Sequence, residues 1–281
     1  MTRKYDLIAL DLDHTTLRDN STLDPVTREA LVKAAEAGIE IVVASGRAYT
    51  SLPEEVMSIP GIRYAITSNG TEVIRTADGA KVKAYTLPEE AVRTTAAIVK
   101  PYKGKAAIEV FIDGVPYTGK DHWDDPTLYG CHPDYVPYVQ QSRKRVEDIH
   151  VFIEEHAAEV DSLDVACPDP VFREEIRRQL RERVKGVHLT SSIAHLTEMI
   201  NEEAGKGAGL QFVCEFLGIP RERAAAVGDA DNDIDMMRWA GLGAAVANAS
   251  PNCLAAADVI IDSNENNGVA KLIEEILENE S

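Results

Sequence analysis

The tightest constraint on this chain is the stretch Ala9-Leu10-Asp11-Leu12-Asp13-His14-Thr15-Thr16-Leu17, which overlaps the end of the apolar run Tyr5 to Leu10. The run reads as a buried strand, so two aspartates stand where it passes into a tight turn. In an open parallel sheet, ligands bind beyond the carboxyl ends of the strands, which suits Asp11 and Asp13 to chemistry rather than packing. Like charges this close coexist only with a cation or a shared proton between them. Mg²⁺ fits such a pair, because it is a hard ion that takes oxygen ligands and usually comes with a substrate phosphate. Taken alone, the stretch reads first as an Asp-rich surface turn.

The chain's size and charge bound what these residues can belong to. At 281 residues it exceeds the size at which single cores stop growing, and two domains are expected. A formal charge of −18 argues against nucleic acid, whose phosphates demand a basic footprint. A small anionic substrate remains open to it if a metal and a few cations reverse the sign locally. Cys131, Cys167, Cys214 and Cys253 show no C-x-x-C spacing, and no secretory signal precedes the first strand, so a reducing cytoplasm is expected. No apolar run approaches a membrane span, so no membrane partner is expected.

Strand and helix signals alternate from there. Thr27 to Ala37 has helical spacing, with Asp24-Pro25 as cap and first position and Gly38 as the stop. Ile39 to Ala44 is a strand running into Ser45-Gly46-Arg47, where backbone N–H groups and a hydroxyl could hold an oxyanion, or Ser45 could simply cap a helix. Tyr64 to Thr67 ends in Ser68-Asn69-Gly70, a turn that could also bring the Asn69 amide to a site, and a hairpin follows about Asp78-Gly79.

From about Lys83 the texture changes. A helix over 88–99 and a strand over 106–113 precede a loop-rich stretch, 114–137, that holds Tyr117, Trp123, Tyr129 and Tyr135. Strands are expected at His150 to Ile153 and Ser162 to Ala166, and a helix from Pro170 to Val184. This region is nearly neutral beside an acidic remainder, which suggests a separate α/β domain inserted into the first. The boundaries are set at 1–82 for the first part of the core, 83–187 for the insert and 188–281 for the rest of the core. Strands at 187–190 and 195–200 are accordingly read as a return to the core. Lys206 then opens an amphipathic helix, at the end where the dipole disfavours a cation, so it either calls for an anion or is an exposed lysine with no role, the commoner case. The buried strand Ala224 to Val227 terminates in Gly228-Asp229-Ala230-Asp231-Asn232-Asp233. Folding alone explains three aspartates there poorly. A Ca²⁺ loop begun at Asp229 would need Gly and Glu at its sixth and twelfth positions, where Ile234 and Ala240 stand.

These clusters at strand ends and helix starts, in this order, resemble the haloacid dehalogenase superfamily of aspartate-nucleophile phosphohydrolases. The position of the insert is similar to the Cof-type subfamily with an α/β type-two cap. The resemblance covers Asp6 to about Leu277 and implies a doubly wound, Rossmann-like α/β core of parallel strands with a smaller inserted α/β cap. It implies Asp11 as the nucleophile that becomes an aspartyl-phosphate, and Asp13 as the acid/base, with its backbone carbonyl offered to the metal. Phosphate binding falls to Ser45, Gly46, Arg47, Lys206 and Asn232, and Mg²⁺ binding to Asp11, Asp13, Asp229 and Asp233. Asn69 and His14 are candidates for substrate contact. His14 stands where the family usually has Gly, which a turn with positive φ would favour. The resemblance thus implies a cytoplasmic Mg²⁺-dependent phosphatase for small phosphorylated metabolites such as sugar phosphates. In that architecture the cap would close over the core, and the aromatics of 114–137 would meet the leaving group. A phosphomutase with the same nucleophile, a receiver-type signalling module and a non-catalytic metabolite sensor are the alternatives. The length and the insert tell against the receiver module, and the filled catalytic positions against the sensor.

Overall fold

The computed structural model describes residues 4–191 and 193–278. In chain order its strands are β1 (Leu7–Leu10), β2 (Glu40–Ala44), β3 (Ile62–Thr67), β4 (Glu72–Arg75), β5 (Ala80–Ala84), β6 (Ala107–Ile112) and β7 (Val115–Gly119). They continue with β8 (Lys144–Val146), β9 (Ser162–Ala166), β10 (Val187–Thr190), β11 (Leu196–Asn201), β12 (Ala224–Gly228), β13 (Leu242–Val246) and β14 (Val259–Ile261). The chain divides into two compact units, Met1–Ala84 with Ala204–Ser281, and Tyr85–Glu203.

The first unit is built on an eight-stranded sheet in the order β14-β13-β12-β1-β2-β3-β4-β5. Its strands are parallel from β14 through β3, while β4 and β5 add an antiparallel hairpin at one edge. Every residue of β1, β2 and β12 is buried. That explains their apolar sequences, Glu40 apart, which pairs with Arg63, since a parallel strand covered on both faces has no solvent side to alternate with. The helix Pro25–Glu36 packs against Gly268–Glu278, and Lys206–Leu217 packs against Ile234–Trp239. Leu31, Ile273, Leu210 and Met236 from these helices join the strands in one core. The strand order places the site. From β1 the chain runs outward to β2 and β3 on one side and later to β12, β13 and β14 on the other. The order therefore reverses beside β1, and such a switch point leaves an open crevice at the carboxyl ends, where Asp11 and Asp229 begin their loops.

The second unit has its own core and a six-stranded sheet in the order β10-β11-β9-β6-β7-β8, antiparallel apart from the β7–β8 pair. Ile108, Val110, Leu163, Val165 and Met199 pack with Val92, Ile153 and Ile176 from the helices Glu89–Val99, Ile149–His156 and Pro170–Arg183. Side chains alternate along a strand, so Glu109, Asp164 and Glu198 lie on the opposite face of this sheet.

Three expectations are corrected here. Residues 150–153 are not a strand but part of the helix Ile149–His156, capped by Asp148, whose carboxylate accepts from the His150 N–H at 2.8 Å and the Val151 N–H at 3.3 Å. A short apolar run does not distinguish the two states; the cap and the buried pair Ile149 and Ile153, four apart, decide for helix. The strands at 187–190 and 196–201 do not rejoin the core. β11 pairs antiparallel with both β9 and β10, so the second unit runs on to Glu203 and not to 187. Leu196-Thr197-Glu198-Met199 mixes polar with apolar residues, a pattern that belongs to a half-covered antiparallel strand, not a parallel one buried on both faces. The stretch 114–137 also holds β7 and the short helix Lys120–Asp124. Within it, the Tyr117 ring stacks on Phe152 at 4.7 Å among the residues of the second core, so it serves packing.

Candidate active site

The loop after β1 is a wide turn closed by the Leu17 N–H donating to the Leu12 carbonyl at 2.8 Å. His14 sits in it at φ 58°, ψ 5°, the left-handed region that favours glycine. The loop is fixed from both sides of the crevice. The Thr16 hydroxyl donates to the Asp11 carbonyl at 2.6 Å, the Thr15 hydroxyl donates to Asp229 Oδ1 at 2.9 Å, and the Asn248 amide donates to the His14 carbonyl at 2.8 Å. The His14 imidazole itself is half exposed and pairs with Asp19 Oδ1 at 3.2 Å.

Lys206 is the pivot of the site. It is 1% exposed, and its Nζ donates to Asp11 Oδ1 and to Asp233 Oδ1, each at 2.6 Å. The anion demanded by a lysine at a helix N-terminus is thus supplied twice. The same helix start is tied down by Asp235, which accepts from the Gly207 N–H at 2.9 Å, and by the loop 68–70, whose backbone presses against it. A Cβ at Gly70 would stand 2.0 Å from the Gly205 carbonyl oxygen, and Gly70 has φ 88°, so only glycine fits this contact. Asp233 is 0% exposed and its second oxygen accepts from the Asp229 and Ala230 N–H groups, both at 3.0 Å.

Carboxylate oxygens of Asp11, Asp229 and Asp233 all lie within 4.8 Å of one another. The electrostatic strain shows in their protonation. Burial pushes the Asp11 carboxyl well above its usual value, and the neighbouring Asp233 and Asp229 add to this while Lys206 opposes it. Burial and Asp233 push Asp229 up to about 6, against the Thr15 hydrogen bond and Lys206. Burial pulls the Lys206 ammonium down, but Asp11 and Asp233 outweigh it and hold its pKa above 10.5. Three carboxylates facing one ammonium leave a surplus of negative charge. Lys206 and Thr15 reach only the Oδ1 of Asp11 and of Asp229, and an oxygen from each of the three carboxylates lies within 4.8 Å of the others. This donor set fits a divalent cation.

A second group adjoins it. The Asp13 carboxylate lies outside the three-carboxylate cluster and takes a two-pronged bond from Arg47, Nε to Oδ2 at 2.8 Å and Nη2 to Oδ1 at 2.5 Å. Ser45 is buried, and its hydroxyl accepts from the Arg47 N–H at 3.1 Å. Asn69 has φ 55° and its Oδ1 accepts from Asn232 Nδ2 at 2.9 Å, while the buried Asn232 Oδ1 has no partner among the described residues.

Of the residues singled out in the sequence, then, Asp11, Lys206, Asp229 and Asp233 form one cluster, Asp13 and Arg47 a second, and Asn69 and Asn232 a third. Gly46 approaches the last, since a Cβ there would stand 3.1 Å from Asn69 Oδ1. Arg47, expected at the phosphate, spends its guanidinium on Asp13, and His14 turns to Asp19. Sequence reasoning missed Asp235, Asn248 and the bond that Thr15 makes. Only Thr15 carried a signal, a hydroxyl next to the turn; the other two depend on which loops the sheet brings together.

Over residues 8–273 the chain matches the family described as haloacid dehalogenase-like hydrolase. Phosphatase YwpJ of Bacillus subtilis (strain 168) is 30% identical over 295 residues, covering 96% of this chain and 99% of that one. The 5-amino-6-(5-phospho-D-ribitylamino)uracil phosphatase YitU of the same organism is 28% identical over 280 residues, covering 98% of both. A haloacid dehalogenase-like hydrolase from Bacteroides thetaiotaomicron has a crystal structure that superimposes with a TM-score of 0.79 at 26% identity, covering 97% of this chain and 100% of that one. With its aspartates at the switch point of a parallel sheet and this likeness over nearly its whole length, the chain belongs to the haloacid dehalogenase-like hydrolase family, among its Cof-type members.

Proposed function

We propose that this phosphatase uses Mg²⁺ and an aspartyl-phosphate intermediate to hydrolyse small phosphorylated metabolites of the sugar or polyol phosphate class. The single observation that carries the reading is Lys206 Nζ bridging Asp11 and Asp233 at 2.6 Å, with Asp229 completing the acidic cluster. Phosphoryl transfer needs positioning and charge neutralisation above all, and this arrangement offers both. The name of the YitU relative, which assigns it a ribityl phosphate, supports the substrate class.

In this mechanism a carboxylate oxygen of Asp11 attacks the phosphorus, and the bond from phosphorus to the ester oxygen breaks as Asp13 gives its proton to the departing alkoxide. Asp13 then takes a proton from water, whose oxygen attacks the phosphorus of the aspartyl-phosphate. The bond from phosphorus to the Asp11 oxygen breaks, which frees inorganic phosphate and restores both carboxyl groups. Lys206, Ser45, the Gly46 backbone and Asn232 hold the non-bridging oxygens, while Arg47 acts through Asp13 by fixing its carboxylate. Asp11, Asp229 and the Asp13 carbonyl would hold Mg²⁺, with Asp233 in support, and a bound ion would offset charge on the phosphoryl group. The unit Tyr85–Glu203 is taken as the inserted cap, and four unpaired cysteines favour a reducing cytoplasm. The test is phosphate release from a panel of phosphorylated metabolites, with Mg²⁺ and with excess EDTA. Asp11→Asn keeps the shape and loses the attacking charge, so its turnover should fall by about 10⁴-fold or more. Near wild-type rates in that variant would end the covalent mechanism.

A further inference from the structure

Ser68-Asn69-Gly70, the turn that follows β3, is left-handed at all three residues, with φ of 49°, 55° and 88°. Asn is among the few residues besides Gly that tolerate this conformation, so the backbone alone accounts for an Asn-Gly turn here. It does not account for the direction of the side chain. Asn69 is 6% exposed, and its amide points inward to Asn232 rather than out to solvent.

The pair that these two amides make is a poor arrangement for folding alone. Asn232 Nδ2 donates to Asn69 Oδ1 at 2.9 Å, while the buried Asn232 Oδ1 has no partner among the described residues. A buried acceptor left unpaired costs more than one hydrogen bond of this kind returns, and apolar side chains of similar shape would avoid that cost. No other group among the described residues bonds the Asn232 amide, so its orientation rests on Asn69.

The turn also touches the other groups assigned to the phosphoryl oxygens. The Asn69 N–H donates to the Ser45 carbonyl at 3.2 Å, and the Ser68 N–H to the Arg47 carbonyl at 2.9 Å. A Cβ at Gly46 would stand 3.1 Å from Asn69 Oδ1, so a side chain there would crowd the amide. Gly70 lies against the start of the Lys206 helix, where its Cβ would stand 2.8 Å from the Lys206 backbone nitrogen. Ser45 with Gly46, Asn232, and Lys206 reach the crevice on three separate stretches of chain, and one turn ties them together. Left-handed backbone outside glycine is strained, and such strain persists only where the surrounding structure over-determines it.

We propose that Asn69 is a positioning residue for phosphoryl transfer: it touches no substrate, and it holds the Asn232 amide so that the second Nδ2 hydrogen is free for a non-bridging oxygen. The first hydrogen goes to Asn69 Oδ1, and because the amide is planar, fixing one hydrogen fixes the second. Donors aimed in advance at the charge that develops in the transition state need no reorganisation at the moment of reaction. Without Asn69 the Asn232 side chain turns among its rotamers, and that preparation is lost. This role rests on the phosphatase reading and deepens it. Asn69, a candidate for substrate contact in the sequence, moves one step back from the substrate.

The experiment measures kcat/KM for a small aryl phosphate in Asn69→Gly, Asn232→Ala and the double variant, each well below its Tm. Glycine keeps the left-handed backbone and its N–H, so it removes the amide alone. Asn232→Ala deletes a donor to the phosphoryl group and should lower kcat/KM by about a hundredfold. Asn69→Gly should lower it by about tenfold, since the donor remains but is no longer aimed. In the Asn232→Ala background the same glycine should cost less than about twofold, because nothing is left to aim. Asn69→Ser, too short to reach Asn232, should behave as the glycine variant does and serves if that variant does not fold. A direct substrate contact, or a general loosening of the site, would instead cost the same factor in both backgrounds, and that result would overturn the proposal. Wild-type kcat/KM in folded Asn69→Gly would overturn it too, yet would leave the covalent phosphatase reading standing, since Asp11→Asn tests that reading separately.

Discussion

Replacing Lys206 with methionine tests the heart of the site most directly. Methionine keeps much of the stem's apolar volume and removes the charge, so the loss reports on electrostatics more than on packing. The lysine side chain is 0% exposed and bonds two carboxylates at 2.6 Å, one of them also 0% exposed. Removing one partner of a buried pair costs about 3–5 kcal/mol, because the other charge stays buried without compensation. One ammonium serves two carboxylates here, so the upper end, about 5 kcal/mol, is expected. In a unit of this size that is a fall in Tm of about 10–20 °C. The Lys206 pKa is raised in the folded state, so this stabilisation is fully present below 10.5 and is lost only as pH rises through the higher folded value. Thermal and urea unfolding at neutral pH, without added metal, therefore measure all of it. Adding Asp233→Asn to Lys206→Met relieves part of the surplus charge, and the double variant should lose less than the sum of the single ones, by about 1–3 kcal/mol. A loss below about 1 kcal/mol, or strict additivity, would show that the two short contacts do not couple the site as argued.

Mg²⁺ should stabilise the fold by about 2.7 kcal/mol at a hundredfold excess over its Kd and so raise Tm in a concentration-dependent way, and Asp229→Ala should remove most of that rise; a Tm indifferent to Mg²⁺ would refute the cation site. His14→Gly relieves a left-handed backbone at the cost of one exposed contact to Asp19, so stability should rise by about 0.5–1 kcal/mol; a drop in urea midpoint would show that the imidazole is structurally needed. Burial and the flanking Glu198 and Glu109 hold the Asp164 pKa well above 3.8, so this group subtracts stability as pH rises past its unfolded value. Asp164→Asn should then stabilise the protein by about 1 kcal/mol at pH 7, with the gain fading toward pH 4, as unfolding at the two pH values would reveal.

Much of this was written in the order of the residues. The apolar runs before Asp11, Ser45 and Asp229 mark parallel strands buried on both faces, and that local signal put the acidic residues at strand ends, while the doubly wound fold followed from the resemblance that the clusters carry together. The lysine at the start of its helix asked for an anion without saying which one, and only the structure shows it buried between Asp11 and Asp233. Where the second unit ends was a different matter. The residues of β11 pair with β9 across a long stretch of chain, from Leu196 with Ala166 to Met199 with Leu163, and no periodicity states which sheet a strand will join. Arg47 reads as a phosphate ligand in the sequence because a cation beside Ser45-Gly46 is ambiguous; the neighbouring strands β1 and β2 bring Asp13 within reach and decide its partner. The carboxylate row Glu109, Asp164 and Glu198 is invisible along the chain, where its members are tens of residues apart. Strand register alone sets them side by side, and a shift of one residue would turn each to the opposite face.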